Sequence, residues 1–501
     1  MPSRRALWIG LAVVVGGVAV GGALLARRPP PAEPARRGQL RAWKDDLQAH
    51  AADLGILRQA QDALPAIGEP ATGPDVVVIV LDTTRADHLG LYGYDRDTTP
   101  RLDAWATAHA RVYDRMIADG PWTIPSHASL FTARPPISHG AHGVPPTSEL
   151  LASALAEGTP TVAGALRARG YRTAAVVGNR AFLGGDYGLQ QGFDLWLCKQ
   201  LRQDAHRLPY TSADRIAALA EAFLADRRTD ASVFLFLNFM DPHAPWVPRE
   251  GYVREPDKVY PGLLPYGKPF KQAADRLMSR RELDPVARAT WIEAYDAELR
   301  FLDAHVGPLL ARLPALGVGE DDYVFVLADH GEYLGEHALV EHGKDVYEPV
   351  LHVPLLIRGP GYAVGRDTTP LQHHDVASLI LAAAGAPPLP DAERTTDLQV
   401  SEQYWSRQRD LKNAKIRHRF DRVRRAFRVL DRKLIVGSDG SEEAYDLAAD
   451  PEETSPIADA PWVDELRARG EAWVEAHPAA PEVAPQKEAD IAALRALGYV
   501  E

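Results

Sequence analysis

The sequence predicts an α/β protein, a sandwich of helices around a central, mostly parallel sheet, with a smaller C-terminal α+β subdomain that contains a short antiparallel sheet. Continuous apolar, β-branched runs support the sandwich, because strands covered on both faces show no polar alternation. Segments with helical apolar spacing lie between these runs, which is typical of a parallel sheet. After about Asp391 the pattern changes to short strands and turns.

The central sheet begins at residues 75–82, which read D-V-V-V-I-V-L-D. Further strands are predicted at residues 173–177, 232–240, 323–328 and 353–357. Helical patterns separate them at residues 212–225, 285–311 and 374–384. We assign residues 74–390 to this domain.

The C-terminal subdomain is assigned to residues 391–480. Its predicted strands are residues 398–404, 426–430 and 433–436, and an amphipathic helix is predicted at residues 462–477. The remaining residues 481–501 form a polar tail.

The N-terminal residues 1–28 predict a transmembrane signal-anchor. An uncharged stretch, residues 6–26, lies between two arginine pairs, and about 20 apolar residues cross a bilayer as a helix. A cleaved signal peptide is the alternative, although its apolar region is usually about 7–15 residues long. We expect a membrane-anchored protein whose folded part lies on the periplasmic or extracellular side. Residues 29–73 then form a linker and a short helix.

Composition restricts the partners of the chain. A net charge of −12 argues against a nucleic-acid binder that needs a basic face. Cys198 is the only cysteine, so neither an intrachain disulfide nor a cysteine-rich zinc site can form. Gly17 and Gly21 form a G-x-x-x-G pair that would allow the anchor to form a homodimer, although chance also produces such pairs in a glycine-rich segment.

Polar residues follow three of the predicted strands: Asp82, then Asp241 to His243, then Asp329 with His330. Ligands of parallel sheets bind beyond the carboxyl ends of the strands, so these residues predict a single site. The alternative is structural, since an aspartate at a strand end often caps the next helix.

Residues 122–130 read W-T-I-P-S-H-A-S-L and resemble the sulfatase nucleophile motif C-x-P-S-R or S-x-P-S-R. Thr123 stands at the position of the cysteine or serine, and His127 at that of the arginine. Residues 81–90 and 329–337 resemble the metal-binding segments of the same family. The resemblance implies a sulfatase-family fold of the alkaline phosphatase superfamily, with a threonine nucleophile replacing the formylglycine.

The resemblance also implies one divalent metal ion, held by Asp82, Thr123, Asp329 and His330. The family's second acidic ligand is replaced here by Thr83. Calcium takes 6–8 oxygen ligands, so this smaller set, which includes an imidazole, favours manganese, zinc or magnesium. His337 and His342 offer a less favoured second metal site.

Four further positions carry roles from the family pattern. His243, in D-P-H-A-P, would contact the substrate or its leaving group, and Lys344 would bind the oxyanion. His127 would orient Thr123 or contact the anion, and His139 would bind substrate. The alternatives are a backbone-bonded or packed histidine and an exposed loop lysine.

Thr123 changes the expected reaction, because threonine is no substrate for the oxidation that produces formylglycine. A threonyl ester must be displaced at its central atom, which phosphorus accepts readily. We therefore expect hydrolysis or transfer of phosphoesters through a covalent Thr123 intermediate. A sulfatase without formylglycine is the first alternative, and an inactive binding module the second. The substrate would be a small-molecule, lipid or glycan ester.

Overall fold

A computed structural model describes residues 50–148, 150–184, 187–198, 210–247, 249–264 and 268–485. Its strands are β1 Val76–Leu81, β2 Arg111–Tyr113, β3 Arg172–Val177, β4 Leu195–Leu197, β5 Val233–Phe239, β6 Tyr323–Leu327, β7 Tyr333–Leu334, β8 Val340–Glu341, β9 Leu355–Arg358, β10 Gly365–Asp367, β11 Gln399–Tyr404, β12 Val423–Val429, β13 Arg432–Gly437 and β14 Glu442–Asp446.

The described helices lie between these strands up to residue 383, and three more follow in the C-terminal part. They are α1 at residues 50–62, α2 Pro100–His109, α3 Thr123–Thr132, α4 Pro136–His139, α5 Val162–Ala168, α6 Ala213–Ala225, α7 Lys268–Arg280, α8 Pro285–Arg312, α9 Glu348–Leu351, α10 His373–Ala383, α11 Gln408–Lys412, α12 Arg417–Phe420 and α13 Pro461–Ala476.

Eight strands form the central sheet in the order β10-β2-β9-β6-β1-β5-β3-β4. β1 pairs in parallel with β5 and β6, and β3 pairs in parallel with β5 and β4. All six residues of β1 are buried, as its unbroken apolar run predicts. The predicted mostly parallel α/β sheet is confirmed.

Strand β9 departs from the parallel pattern, since it is antiparallel to both β6 and β2. A parallel return would need a crossover, usually a helix packed on the sheet. The chain between β6 and β9 instead contains the short hairpin β7–β8 and the four-residue helix α9. Without such a crossover helix, β9 enters the sheet in the opposite direction.

The C-terminal sheet has four antiparallel strands in the order β11-β12-β13-β14. The predicted subdomain is confirmed, and β14 is a strand that the sequence pattern did not reveal. Its apolar face packs on helix α13, and the shared core consists of Val400, Phe427, Leu434, Ala444, Val463 and Leu466.

Helix α1 joins the N-terminal part of the described chain to the first domain. Leu57 is fully buried, and Arg215 Nε of helix α6 donates to Asp53 Oδ2 over 2.8 Å. This buried ion pair fixes α1 against the first domain, and the predicted short helix is present from residue 50 onward. The start of that prediction, before residue 50, lies outside the described residues.

The predicted membrane localisation is corrected here. In the described ranges, no helix combines the length and the apolar character needed to cross a bilayer. Residues 1–28, to which the anchor was assigned, lie outside the described residues, as does the end of the tail after residue 485.

Candidate active site

Two adjacent parallel strands place the acidic residues of the site side by side. Asp82 directly follows β1, and Asp329 lies two residues beyond β6, whose Leu327 pairs with Val80 of β1. Asp82, Asp329 and His330 are all buried. One carboxylate oxygen of each aspartate and one ring nitrogen of His330 lie within 4.8 Å of one another. The predicted cluster at the carboxyl edge of the sheet is therefore present.

In each of these three residues, one polar side-chain atom is hydrogen-bonded to the surrounding protein. Asp82 Oδ2 accepts from the Asn179 and Asn238 amides over 3.2 and 3.3 Å. Asp329 Oδ1 accepts from the backbone N–H of Thr83 and of His330. His330 Nδ1 donates to the Gly331 carbonyl over 2.9 Å, which leaves the lone pair on Nε2.

The other atom of each residue makes no hydrogen bond within the described chain. These atoms are Asp82 Oδ1, Asp329 Oδ2 and His330 Nε2, and all three are buried. Buried polar atoms are rarely left without a partner, so three that converge require an explanation. Two carboxylate oxygens and an imidazole nitrogen form a ligand set suited to a divalent metal ion. The residues present fit the predicted metal site.

The raised pKa values of the two aspartates also favour a bound cation. Burial and the neighbouring Asp329 carboxylate raise the pKa of Asp82 to about 8. Burial also raises the pKa of Asp329 to about 7, although backbone N–H groups oppose it. Two carboxylates that repel one another away from water are stabilised when a cation lies between them.

Thr83 occupies the position of the absent second acidic ligand, but its side chain turns away from the cluster. Its hydroxyl donates to the Asp82 carbonyl over 2.7 Å, while its N–H donates to Asp329 Oδ1 over 3.2 Å. Its φ of 56° lies in the left-handed region, which is uncommon for a β-branched residue. Thr83 therefore supports Asp329 through its backbone.

Thr123 is the first residue of helix α3 and is fully buried. The Asn179 side-chain nitrogen lies 3.4 Å from Thr123 Oγ1 and 3.2 Å from Asp82 Oδ2. One amide therefore connects the predicted nucleophile with a predicted metal ligand. The N-terminal position also places the partial positive charge of the helix near the hydroxyl.

Asn179 and Asn238 are site residues that sequence reasoning missed. The side-chain oxygen of Asn179 accepts from the Phe182 N–H, and that of Asn238 accepts from the Asn179 N–H. These contacts orient both NH₂ groups toward Asp82. A signal was available, since Asn238 is a polar residue within a buried apolar run and Asn179 closely follows another.

His127 lies beside the cluster. Its Nδ1 donates to the Thr123 carbonyl over 2.9 Å and lies 3.5 Å from Asp329 Oδ2. Burial lowers the pKa of His127 to about 3, so the ring is neutral near pH 7. It packs near Phe131 and Phe236 and orients the start of α3 without supplying the charge of the motif arginine.

His243 is buried on the far side of His330. Its Nδ1 donates to the Ala244 carbonyl, and its ring lies 4.8 Å from that of His342, which in turn lies 4.4 Å from that of His330. Burial and then His342 lower the pKa of His243 to about 3. His342 Nδ1 contacts Glu332 Oε1 over 2.9 Å. Glu332 thus extends the site beyond the predicted residues, and His342, which was predicted for a second metal site, lies beside His330.

Lys344 is buried in a compact group of charges. Its Nζ lies 3.2 Å from Glu341 Oε2 and 3.5 Å from Asp410 Oδ2. Burial, followed by the Arg407 charge, lowers the pKa of Lys344. The neighbouring Gly343 N–H donates to the Pro121 carbonyl, two residues before Thr123. The exposed-loop alternative for Lys344 is thereby wrong, and its contact with an oxyanion stays a prediction.

The structure does not bring His139 to the cluster. Its Nε2 bonds Ser129 Oγ over 3.1 Å and its Nδ1 accepts from the Ala141 N–H. Ser129 is six residues, or about 9 Å along the helix, from Thr123. His337 is also separate, because it stacks on Tyr347 with ring centroids 3.6 Å apart. Among the described residues, the Asp82, Asp329 and His330 cluster is the one group that meets the geometry of a metal site.

A family model described as sulfatase matches residues 74–386. The chain belongs to the sulfatase family. The sulfatase match covers the central sheet and all the predicted site residues. It confirms the family and the alkaline-phosphatase-like fold that the motifs predict.

Curated sulfatases are similar over part of the chain. An ulvan-active sulfatase of Formosa agariphila is 26% identical over 358 residues, which cover 65% of this chain and 64% of that protein. Human arylsulfatase A is 28% identical over 385 residues, covering 67% and 68%. The chain thus spans less than two thirds of the ulvan-active sulfatase, and 36% of the uncharacterized sulfatase YidJ of Escherichia coli.

Solved structures share the fold of this sulfatase-family chain. A phosphonate monoester hydrolase from Silicibacter pomeroyi superposes with a TM-score of 0.61 at 21% identity, over 81% of this chain and 96% of that chain. BT4656, in complex with its substrate D-glucosamine-2-N,6-O-disulfate, gives 0.63 at 18% identity over 81% and 98%. The family fold therefore occurs both in a phosphonate hydrolase and in a protein that binds a sulfated sugar.

Proposed function

We propose that this sulfatase-family hydrolase cleaves or transfers phosphate esters through a covalent Thr123 intermediate, with sulfate esters as the second substrate class. One observation carries the proposal: Asn179 bonds both the Thr123 hydroxyl and the Asp82 carboxylate. The hydroxyl is therefore connected through one amide to the cluster whose three candidate ligand atoms make no hydrogen bond in the described chain. The donor set supports a single divalent ion, with manganese, zinc or magnesium favoured over calcium.

Asp82, Asp329 and His330 would hold the ion, and Thr123 would complete the set. When bound, a divalent ion supplies a Lewis acid that polarises an ester oxygen and lowers the pKa of a nearby hydroxyl. The protein itself positions the reacting hydroxyl and stabilises the charge that develops on it. Asn179 fixes the Thr123 hydroxyl, and the N-terminus of α3 stabilises negative charge that develops there.

The reaction proposed here has two displacements. Thr123 Oγ1 bonds to phosphorus, the bond to the ester oxygen breaks, and the leaving alcohol gains the proton that Thr123 loses. Water or a second alcohol then attacks phosphorus, and the threonine hydroxyl is restored. No aldehyde is required at any point, which suits a chain with threonine at the motif position.

Phosphate is favoured over sulfate on chemical grounds. A phosphoester offers more negative charge for the proposed metal ion and Lys344, and phosphorus accepts displacement of a threonyl ester. The similar phosphonate monoester hydrolases support the fold's capacity for phosphorus chemistry. The family match supports sulfate as the alternative. A small-molecule, lipid or glycan ester remains the proposed substrate.

A comparison of wild type with Thr123→Ala tests the proposal. Purified proteins with added manganese, zinc or magnesium are assayed on an aryl phosphodiester, an aryl phosphomonoester and an aryl sulfate. Turnover of a phosphate ester that Thr123→Ala abolishes is the expected result. Turnover that survives in Thr123→Ala contradicts the nucleophile. Inactivity of wild type on all three esters, without metal binding, would instead favour an inactive binding module.

A further inference from the structure

We propose that a cavity between the first domain and the C-terminal subdomain binds a small organic anion, namely a carboxylate with a planar apolar body. The cavity lies between the start of helix α10, residues 393–400 and helix α13. Among the described residues that line it, none is Thr123 or a member of the Asp82, Asp329 and His330 cluster. The inference therefore goes beyond the proposed ester chemistry and does not depend on it.

The dimensions of the cavity suit a small molecule. Its volume is about 560 Å³, and small-molecule sites usually enclose about 300–1,000 Å³. The cavity also lies where two structural units meet, which is a common position for such sites. A ligand with two fused aromatic rings therefore has room in it.

Helix α13 and the residue after it supply an apolar wall. One side of the helix lines the cavity, as the helical spacing of the lining residues shows: Arg469, Ala472, Trp473, Ala476 and His477. The Trp473 ring stacks on that of His477, with centroids 4.1 Å apart. Leu398 and Val400 add aliphatic surface. A planar apolar ligand suits this wall, because aromatic rings pack on one another in stacked or edge-on arrangements.

A hydrogen-bonded chain of three residues ends at the cavity. His374 Nδ1 lies 2.7 Å from Asp119 Oδ1, and His374 Nε2 lies 3.1 Å from Thr395 Oγ1. Burial lowers the pKa of His374, but Asp119 prevails and raises it to about 9, so the ring is charged near pH 7. Both ring nitrogens then donate, and Thr395 Oγ1 accepts from one of them. The Thr395 hydroxyl can therefore donate its own hydrogen to a ligand in the cavity.

Arg394 supplies an available positive charge next to this hydroxyl. It lines the cavity and is exposed, and its side chain forms no ion pair or hydrogen bond within the part of the chain that the structure describes. A guanidinium group binds a carboxylate through two parallel N–H donors. Arg394 and Thr395 together therefore provide the donors for one anionic group.

The other charged side chains of the wall are already paired. Arg469 Nη1 lies 3.1 Å from Asp397 Oδ2. Glu393, the one acidic side chain among the described lining residues, contacts His477 Nε2 over 2.7 Å and accepts from Ser138 Oγ over 2.9 Å. The cavity thus offers no unpaired carboxylate to a cation. Its single available cation matches a monoanion better than a polyanion.

Asp119 and His373 lie between the cavity and the candidate active site. The Asp119 N–H donates to His373 Nδ1 over 3.3 Å, and His373 Nε2 donates to the Ala328 carbonyl over 2.9 Å. Ala328 directly precedes Asp329. A ligand in the cavity therefore binds apart from the proposed ester site.

Calorimetric titration of the full chain tests the inference. The probes are 2-naphthoate, its uncharged counterpart 2-naphthamide, and inorganic phosphate. We expect 2-naphthoate to bind at least about tenfold more tightly than either of the others. Of the three probes, it alone combines the planar apolar body with a single negative charge.

Two variants test the donors of the anionic group. Arg394→Gln and Thr395→Val should each weaken 2-naphthoate binding at least about tenfold, because hydrogen bonds to a charged group are lost. Arg169→Gln and Thr368→Val are the matched controls, since they alter exposed side chains that do not line the cavity. Both controls should bind 2-naphthoate as wild type does.

A third variant tests the location of the ligand. Ala472→Trp places a large side chain on the cavity wall and should abolish 2-naphthoate binding. Ala468→Trp changes an exposed alanine of the same helix that does not line the cavity, so it should bind normally.

The inference is overturned if 2-naphthoate does not bind, if it binds no more tightly than 2-naphthamide, or if its affinity is unchanged in Arg394→Gln or in Ala472→Trp. Thr123→Ala should bind 2-naphthoate as wild type does. Because no readout here is ester turnover, a failure of the proposed Thr123 reaction is distinguishable from a failure of the anion site.

Discussion

Asn179 donates its side-chain amide to the Thr123 hydroxyl over 3.4 Å. The same nitrogen reaches Asp82 Oδ2 over 3.2 Å, and the Asn179 oxygen is fixed by the Phe182 N–H. The orientation of the hydroxyl is therefore coupled to that of the carboxylate. This contact supports the proposal that Thr123 is held in position to react.

Replacing Asn179 by alanine should impair the reaction while preserving the fold. The variant removes the donor shared by Thr123 and Asp82, and loss of such a supporting contact typically lowers metal affinity or activity about 10–100-fold. Ester turnover and metal affinity are the measurements. Asn413→Ala removes an asparagine outside the cluster and should behave as wild type. Equal activity of all three proteins would show that the shared amide has no role in the reaction.

Replacing Asp82 by asparagine should have opposite effects with and without metal. At pH 9 both carboxyl groups are charged in the metal-free protein, because this pH lies above the pKa of Asp82, about 8, and that of Asp329, about 7. The change then removes a buried charge that repels Asp329, so the melting temperature at pH 9 should rise. It also removes an anionic ligand, so manganese or zinc should bind at least about tenfold more weakly and stabilise the variant less than wild type. Thermal melts with and without metal test this, with exposed Asp230→Asn as the control. A fall in metal-free stability contradicts the repulsion.

The Asp119 and His374 pair predicts a stability change at alkaline pH. Burial alone would lower the pKa of His374, but the Asp119 carboxylate 2.7 Å away prevails and raises it to about 9. Because the folded pKa exceeds the unfolded value of about 6.5, this contribution is complete below pH 6.5 and is lost as pH rises through 9. Its upper bound is about 3 kcal/mol. Urea titrations from pH 6 to pH 10 should show this loss in wild type.

His374→Gln should be less stable than wild type at pH 6 and should lack most of the decline toward pH 9. His109→Gln, which alters an exposed histidine, should follow the wild-type curve. Parallel curves for wild type and His374→Gln would mean that this pair does not set the alkaline limit.

Gly331 should tolerate no side chain. A Cβ atom there would lie 2.0 Å from the Pro349 carbonyl oxygen, and the residue directly follows His330. Overpacking of this kind typically lowers the free energy of unfolding by about 1–3 kcal/mol. Gly331→Ala should lose stability and metal affinity together, because the backbone that orients His330 must move. Gly55→Ala, with open space around its Cβ, should be neutral or stabilising in a denaturation assay.

The parts of this structure that could be predicted are those with strong local signals. The apolar run of β1 indicated a strand buried on both faces, and the residues that follow β1 and β6 indicated a shared site. The direction of β9 could not be predicted, because it depends on how the preceding loop packs. Helix α7 and strand β14 were missed because their apolar residues are few.

Some residues of the candidate site could be predicted from local motifs, whereas others are recognised only through long-range packing. Asp82, Asp329 and His330 were recognisable from motif spacing, whereas Asn179 and Asn238 become site residues only through contacts between distant strands. The burial of Lys344 depends on Asp410 and Arg407 from the C-terminal subdomain, far away in sequence. Local patterns therefore identified the chemistry, and long-range packing determined which side chains support it.

Thr123 is proposed to form a covalent ester with the transferred group, and trapping that ester is the most direct test. Wild type and Thr123→Val are mixed with metal and a slowly hydrolysed aryl phosphate ester, quenched in acid, digested and analysed by peptide mass spectrometry. We expect a phosphoryl group on Thr123 in wild type, and neither adduct nor turnover in Thr123→Val. Turnover in wild type without an adduct on Thr123, together with unchanged turnover in Thr123→Val, would contradict this expectation.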